Sequence, residues 1–479
     1  MVPSRTSGRN RPVFIQAMWR TASTYVWRKF RAQPGYRCYY EPLHEMLVKP
    51  RERVLSVGDE RRTSSLRHPA IDRPYFAEFP FACEGGAKFF QKPLSYERYC
   101  LREGDKDNAL HRYISNLIAH ASRHKQRAVL QFNRGLLRAG WLTRKFSPVN
   151  ILVLRKPANV WKSFLSFSDG SFTGALCIVL GQNKAKWPLN VLPDWLDLPC
   201  RMGATVEDDY VAYSSISGEL ASRMYPSFFD FYLAAILHSA RYADCILDVD
   251  EISVNPSARA AAQRRLREFG IEVDFSDCSV PSYALETAQE REWLAYEDFA
   301  RRFLRALLPV DLLLPRRAFN SHRSMLGSYF RELLGEVVSE ARSRLTIFPQ
   351  CAAAKHAEGL QLFQTSRKEE SATAFGDALA SEQTSERWND WSTAQAACSR
   401  LVVAELGYRQ ALKLDRWNSE AAGNLGALLA SLGRNSEALP LLEQAERAAD
   451  HGATCEIGRL LAGVRESIRE AGLAKSRRT

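Results

Sequence analysis

No stretch of the chain is apolar for long enough to cross a bilayer. The longest such run, Phe228 to Leu237, is broken by Asp230 and falls far short of the ~20 residues a spanning helix needs. The first residues, MVPSRTSGRNR, lack the h-region of a secretory signal. Cysteine occurs ten times, but never as C-x-x-C and never in a His/Cys ligand spacing. That pattern predicts reduced thiols, a cytoplasmic location and no metal site. No G-x-x-x-x-G-K-[ST] occurs. The nearest Gly-rich run, Glu84-Gly85-Gly86-Ala87-Lys88, has neither the spacing nor the following hydroxyl of a triphosphate loop. No G-x-G-x-x-G follows a strand, so dinucleotide binding is unsupported as well.

What is present is an ordinary globular composition, 46% hydrophobic and 25% charged over 479 residues, which excludes disorder throughout. The unusual quantity is a net charge of +12, which predicts an anionic partner without choosing one. Residues 1–60 hold 11 Lys/Arg against 5 Asp/Glu, so half of the excess lies in this segment.

Two textures succeed one another. Up to about residue 310, short β-type runs (Val13 to Met18, Arg37 to Tyr40, Ala128 to Phe132, Asn150 to Leu154, Cys245 to Val249) alternate with helical stretches, the pattern of βαβ units and a mostly parallel sheet. Beyond about 350, Ala and Leu dominate and the chain reads as helical. There Ala404, Tyr408 and Ala411 recur 34 residues later as Ala438, Leu442 and Ala445, and Gly359, Leu362, Ser371, Phe375 and Ala378 suggest an earlier copy. Small residues where two helices cross are what a helix-turn-helix repeat requires. The expected organisation is an α/β domain over 1–315, a helical linker over 316–350, helical repeats over 351–472 and a basic tail over 473–479.

The stretch Pro12 to Arg31 reads as strand, turn and amphipathic helix, with Arg20-Thr21-Ala22-Ser23-Thr24 in the turn. Such a turn aims unpaired helix N–H groups and the positive end of the helix dipole at one point, where an oxyanion fits. The hydroxyls of Ser23 and Thr24 are further donors, and Arg20 carries a planar, permanently charged fork. Alternatively, Ser23 caps the helix and Arg20 is a solvated charge. A second site follows the apolar run Asn150 to Leu154: Arg155 stands at the strand end, Pro157 suits a first helical turn, and Ser163 lies eight residues after the Arg. Ligands of open α/β sheets bind at carboxyl ends of strands.

Together, WRTAST and LVLRKPxxVxxS resemble the sulfotransferases that use 3′-phosphoadenosine 5′-phosphosulfate. The resemblance covers roughly residues 11 to 280 and implies a P-loop-like α/β fold. It implies that Arg20, Thr21, Ala22, Ser23 and Thr24 hold the 5′-phosphosulfate and that Arg155 and Ser163 hold the 3′-phosphate. Ala22 stands where the family has Gly. Since Ala adopts positive φ at a cost, the expectation is a helical backbone at that residue or weakened cofactor binding. Arg37 to His44 resembles the E-P-L segment of carbohydrate sulfotransferases, and Glu41 matches the general base of tyrosylprotein sulfotransferases. His44 is the reserve base. On its own residues, without the resemblance, Glu41 reads first as an ion-pair partner of Arg37 or Arg20. His44-Glu45 fails as a zinc H-E-x-x-H because the fifth residue is Val48. Arg134 and Arg138 face either the same cleft or solvent, and Asp248 and Asp250 read as structural acids that pair loop arginines.

The C-terminal copies resemble tetratricopeptide repeats, with Thr454 to Glu470 as a capping helix, which implies a groove for a partner protein. The leading expectation is a sulfotransferase acting on a hydroxyl or amine, of a carbohydrate or glycolipid among other acceptors. The alternative is a nucleotide-binding scaffold with impaired catalysis. Aromatic residues such as Tyr75, Phe76, Phe79, Phe167, Trp187 and Trp195 serve either an acceptor or the core. Neither nucleic acid nor a membrane span is expected among the partners.

Overall fold

The computed structural model describes residues 11–56, 72–83, 85–166, 171–219, 221–281, 288–308, 319–336, 352–448 and 454–476. The chain divides into two compact units, Met1–Leu285 with Leu308–Leu345, and Glu286–Leu307 with Thr346–Thr479.

The first unit is built on strands β1 (Val13–Ala17), β2 (Tyr36–Tyr40), β3 (Arg127–Phe132), β4 (Val149–Leu154) and β5 (Cys245–Asp248), in the spatial order β2-β3-β1-β4-β5. All neighbours are parallel. The strands lie within a residue of the runs read from the sequence. Their legibility has a physical cause: a parallel sheet covered on both faces needs apolar side chains on both, and every residue of β1 and β4 is buried. The α-helices of six residues or more are, among the described residues, α1 (Ser23–Arg31), α2 (Asn108–Arg123), α3 (Ala139–Phe146), α4 (Pro157–Leu165), α5 (Ser171–Asn183), α6 (Val206–Glu219), α7 (Ala221–Ala240), α8 (Val249–Val254) and α9 (Pro256–Arg267). Val26, Trp27 and Phe30 of α1 are fully buried, with Trp27 edge-on to Tyr40 at 5.1 Å.

β1 continues through α1 to β2 on one side of the sheet, whereas β4 leads to β5 on the other. The connections therefore leave neighbouring strands β1 and β4 in opposite directions, and the carboxyl ends of this pair bound a crevice of the kind where open α/β sheets take their ligands.

The second unit contains α10 (Ala288–Leu307), then the pairs α11 (Ala352–Gln364) with α12 (Lys368–Ser381), α13 (Ser385–Ala397) with α14 (Leu401–Leu414), and α15 (Ser419–Ser431) with α16 (Asn435–Ala448), and finally α17 (Thr454–Ser476). Helix α10, expected in the α/β domain, groups with this unit because its buried face needs aromatic partners there. Phe299 lies 4.1 Å from the Trp391 ring and Phe303 lies 5.4 Å from Trp388. Ala404, Tyr408, Ala411, Ala438, Leu442 and Ala445 are all buried. Close crossing is achieved by glycine: a Cβ on Gly359 would stand 2.6 Å from Phe375, and one on Gly426 would stand 2.7 Å from Leu442. In the middle pair the small residue changes sides. Ser392 occupies the glycine position of α13, and Gly407 of α14 makes the room, since a Cβ there would meet Ser392 Oγ at 2.0 Å.

No helix among the described residues is long and apolar enough to cross a membrane. Among them, Cys38, Cys100, Cys177, Cys245 and Cys278 are buried free thiols.

Candidate functional site

The β1–α1 turn departs from the expected helical backbone. Ala22 is the N-cap of α1 at φ 61, ψ 22, which is left-handed, and Arg20 is left-handed too at φ 66. The chain must reverse from β1 into α1 within a few residues, and this requirement overrides the steric cost of roughly 1–2 kcal/mol that a Cβ imposes there. The turn is pinned by Thr21, whose Oγ1 donates to Met18 O at 2.8 Å. Ser23 does not cap the helix. Its hydroxyl donates to Asn133 Oδ1 at 3.1 Å, and Thr24 Oγ1 lies 3.2 Å from Tyr40 OH. The N–H groups of the first turn of α1 have no acceptor within the helix.

Loops after β1 and β4 meet across the crevice. Arg20 Nε donates to Ser163 Oγ at 2.9 Å, and Arg155 Nη1 donates to Arg20 O at 3.2 Å. Arg155 is 4% exposed; its Nη2 donates to Pro281 O at 2.6 Å and its Nε stands 3.6 Å from Asp250 Oδ1. Asp250 in turn accepts from Lys156 N at 2.7 Å, so the acid does pair a loop arginine. Helix α7 backs this end: Tyr232 OH donates to Arg155 O at 2.6 Å. Arg20 lies over the Phe172 ring of α5 at 5.5 Å.

Glu41 follows β2 with φ 37 and is 7% exposed. Its partner is neither Arg37 nor Arg20. Asn133 Nδ2 donates to Oε1 at 2.7 Å and Arg134 Nη1 donates to Oε2 at 2.5 Å. Because Asn133 also accepts from Ser23 and from Gln131 Nε2 (2.7 Å), one amide ties the β1 loop, β3 and Glu41 together. Arg134 uses its other terminal nitrogen on Glu45 and on Tyr96 OH (2.8 Å). Burial alone would lower the Arg134 pKa, but Glu45, Tyr96 and Glu41 hold it well above the ordinary value. Burial likewise works against Glu45, and Arg134 and His44 overrule it to keep its carboxyl below the usual range.

His44 lies beside this group. Its Nδ1 accepts from Met46 N at 3.1 Å, capping the short turn Glu45–Val48, and its ring meets Phe76 edge-on at 5.5 Å. The neutral ring in that arrangement carries its proton on Nε2, so the lone pair a base would use is spent on the cap. Arg138 stands apart: fully buried, it donates to Leu94 O and Ser95 O, and burial pulls its pKa down to about 10. Asp248 accepts from Gly327 N at 2.9 Å, and burial pushes its carboxyl up to about 7. Tyr75, Phe76 and Phe79 are core residues; Phe167 lies outside the described residues.

The structure thus brings together Arg20, Ser163 and Arg155 on one side, and Glu41 with Asn133, Arg134 and Glu45 on the other, joined through Ser23. Asn133 and Tyr96 are site residues that the sequence reading does not name, and Glu45 enters it only through a zinc motif that fails. The available signal was position, since Asn133 and Arg134 directly follow β3 at the same carboxyl edge. No protein-family model matches the chain, and no curated protein matches it.

Proposed function

We propose that the protein transfers a sulfuryl group from 3′-phosphoadenosine 5′-phosphosulfate to a hydroxyl or amine acceptor. The observation that carries this reading is the convergence of Arg20, Ser163 and Arg155 at the crevice between β1 and β4. The donor set suits an organic polyanion: two guanidinium groups, the N–H groups of the first turn of α1, and a Ser163 hydroxyl that accepts from Arg20 and so keeps its own proton to donate.

The bound nucleotide would supply the sulfuryl group. Arg20 and the N–H groups of the turn hold the 5′ end and stabilise charge on the departing phosphate oxygen; Arg155 and Ser163 hold the 3′-phosphate. Glu41 accepts the acceptor's proton as the new S–O or S–N bond forms and the S–O bond to the 5′-phosphate breaks. Each carboxylate oxygen has a second lone pair beyond the bonds from Asn133 and Arg134.

The same clamp on Glu41 favours a second reading, a nucleotide-binding scaffold without turnover whose helical pairs bind a partner protein. Thermal unfolding with and without 3′-phosphoadenosine 5′-phosphate tests both. A rise in Tm with transfer of labelled sulfate supports the enzyme, and a rise without transfer to carbohydrate, glycolipid, phenol or peptide acceptors supports the scaffold. No rise at saturating nucleotide, where about 2.7 kcal/mol is expected at a hundred times Kd, overturns both.

A further inference from the structure

Helix α2 ends in a pair of histidines, His120 in its last turn and His124 at its C-cap. The cap residue keeps near-helical torsions (φ -85, ψ 6), so the two side chains, four positions apart, lie one above the other on the same face. Their ring centroids stand 4.9 Å apart. With metal–nitrogen bonds of about 2.0–2.1 Å, two imidazoles in adjacent positions on one ion have centroids roughly 4.5–5.3 Å apart, from square to tetrahedral geometry. The pair is already spaced for a shared ion. The expectation of no metal site rests on cysteine spacing and does not reach it.

A buried phenol fixes one of the rings. Tyr39 of β2 donates its single proton to Leu117 O at 2.8 Å, and the same oxygen lies 2.9 Å from His120 Nδ1. Both bonds form together only if Nδ1 carries the hydrogen and donates it to the phenol. The lone pair of His120 is then on Nε2, at the other side of the ring. A metal-binding histidine characteristically gives its other N–H to such a partner, which sets tautomer and orientation before the ion arrives. Tyr39 is fully buried, so the support is rigid. The His124 ring is exposed, with room to turn either nitrogen towards the same ion.

Charge selects the kind of ion. The carboxyl end of a helix favours a cation, whereas Arg37 and Arg123 stand close enough to His120 to oppose positive charge there. Hard cations, which require carboxylate or carbonyl oxygens, gain nothing from two imidazoles; ions that take nitrogen do. Among the described residues no group of three or more His, Cys, Asp or Glu could hold a metal ion, so water fills the remaining positions.

We propose that His120 and His124 form a binding site for a divalent transition ion of the nickel and zinc class, with Tyr39 as the outer support that holds His120 in its metal-binding tautomer. The proposal stands independently of the sulfuryl-transfer reading, since it involves no nucleotide and none of Arg20, Arg155 and Glu41.

Calorimetric titration and thermal unfolding of the full chain, purified without a histidine tag and stripped with EDTA, test it with Ni²⁺ as the probe and Mg²⁺ as the control. Nickel suits imidazole, whereas zinc is also drawn to exposed thiols such as Cys83 and Cys200. Ni²⁺ is expected to bind and raise Tm, and Mg²⁺ to do neither. His124→Ala, at an exposed position, is expected to abolish the nickel response while circular dichroism stays native. Tyr39→Phe keeps the ring and removes only the hydroxyl; nickel binding is expected to weaken by about 10- to 100-fold. Should Tyr39→Phe fail to fold, the two ions and His124→Ala decide alone. No nickel binding at millimolar concentration, an equal response to Mg²⁺, or unchanged binding in His124→Ala overturns the proposal. So does unchanged binding in folded Tyr39→Phe, which would leave an adventitious surface chelate only. Each outcome holds whether or not 3′-phosphoadenosine 5′-phosphate binds.

Discussion

The Nε of Arg20 donates to the Oγ of Ser163 at 2.9 Å, across 143 residues of sequence. The bond closes the crevice between β1 and β4 and makes the two loops one surface. The serine is held in place by an arginine that has a charge of its own to offer, so changes at either residue alter the other.

Replacing Arg155 by Ala removes a buried cation that donates to Arg20 O and Pro281 O. With charged hydrogen bonds contributing about 1.5–3 kcal/mol each, affinity for 3′-phosphoadenosine 5′-phosphate is expected to fall by roughly 10- to 150-fold while circular dichroism stays native. Calorimetric titration checks this. Unchanged affinity would remove Arg155 from the nucleotide site.

Glu41→Gln keeps one acceptor oxygen, so only one of the donors Arg134 and Asn133 retains its partner, and takes away the carboxylate charge. Nucleotide affinity is expected to remain within a few fold of the unaltered protein, with transfer of labelled sulfate lost by a factor on the order of 10²–10⁴. Turnover persisting in this variant would take the base role away from Glu41.

Ala22→Gly tests the strained turn. Relief of the left-handed Cβ, less the chain entropy that glycine adds, is expected to leave stability unchanged or raised by up to about 1 kcal/mol. The Tm in the absence of ligand reports it. A loss of more than about 1 kcal/mol would show that Ala22 is not left-handed in solution.

Asp248 bears on pH. Its carboxyl is raised from 3.8 to about 7 in the folded protein, chiefly by burial. A carboxyl whose pKa is raised on folding is favoured in its protonated form, so its contribution is full below about 4 and declines as pH rises through about 7. The Tm of the unaltered protein is therefore expected to lose ground to that of Asp248→Asn between pH 4 and 8, measured in matched buffers. A constant difference across that range would contradict it.

Gly407→Ala introduces a methyl at 2.0 Å from Ser392 Oγ and 2.9 Å from the Trp391 ring. Overpacking of this kind costs about 1–3 kcal/mol, and adding Ser392→Gly is expected to recover part of it. Urea unfolding of the single and double variants measures the coupling; strict additivity would mean that the two residues do not share the crossing.

Legibility in the sequence followed the range of the interaction. The five strands could be read because buried parallel strands are apolar on both faces, a property local to each. That Arg20 and Arg155 meet could be read because strand ends place them, and Ser163 sits on the helix that follows β4. The left-handed backbone of Ala22 could not, since it arises from where α1 must go and not from what alanine prefers. Nor could the Asn133 and Arg134 bonds to Glu41, whose partners lie 92 and 93 residues away. The placement of α10 failed for the same reason: Phe299 and Phe303 mark an apolar face, but nothing near them in sequence says that Trp391 and Trp388 will cover it.

That placement has a consequence during synthesis. The chain passes between the two units at 285/286, 307/308 and 345/346, so neither can be completed in one uninterrupted stretch. Phe299 leaves the ribosome 92 residues ahead of Trp391, which at roughly 5–20 residues per second is an interval of about 5–18 s. For that time the nascent helix presents a bare aromatic stripe, the kind of surface that chaperones hold and that aggregates form on. The yield of folded protein is therefore tied to how quickly residues 352–397 follow.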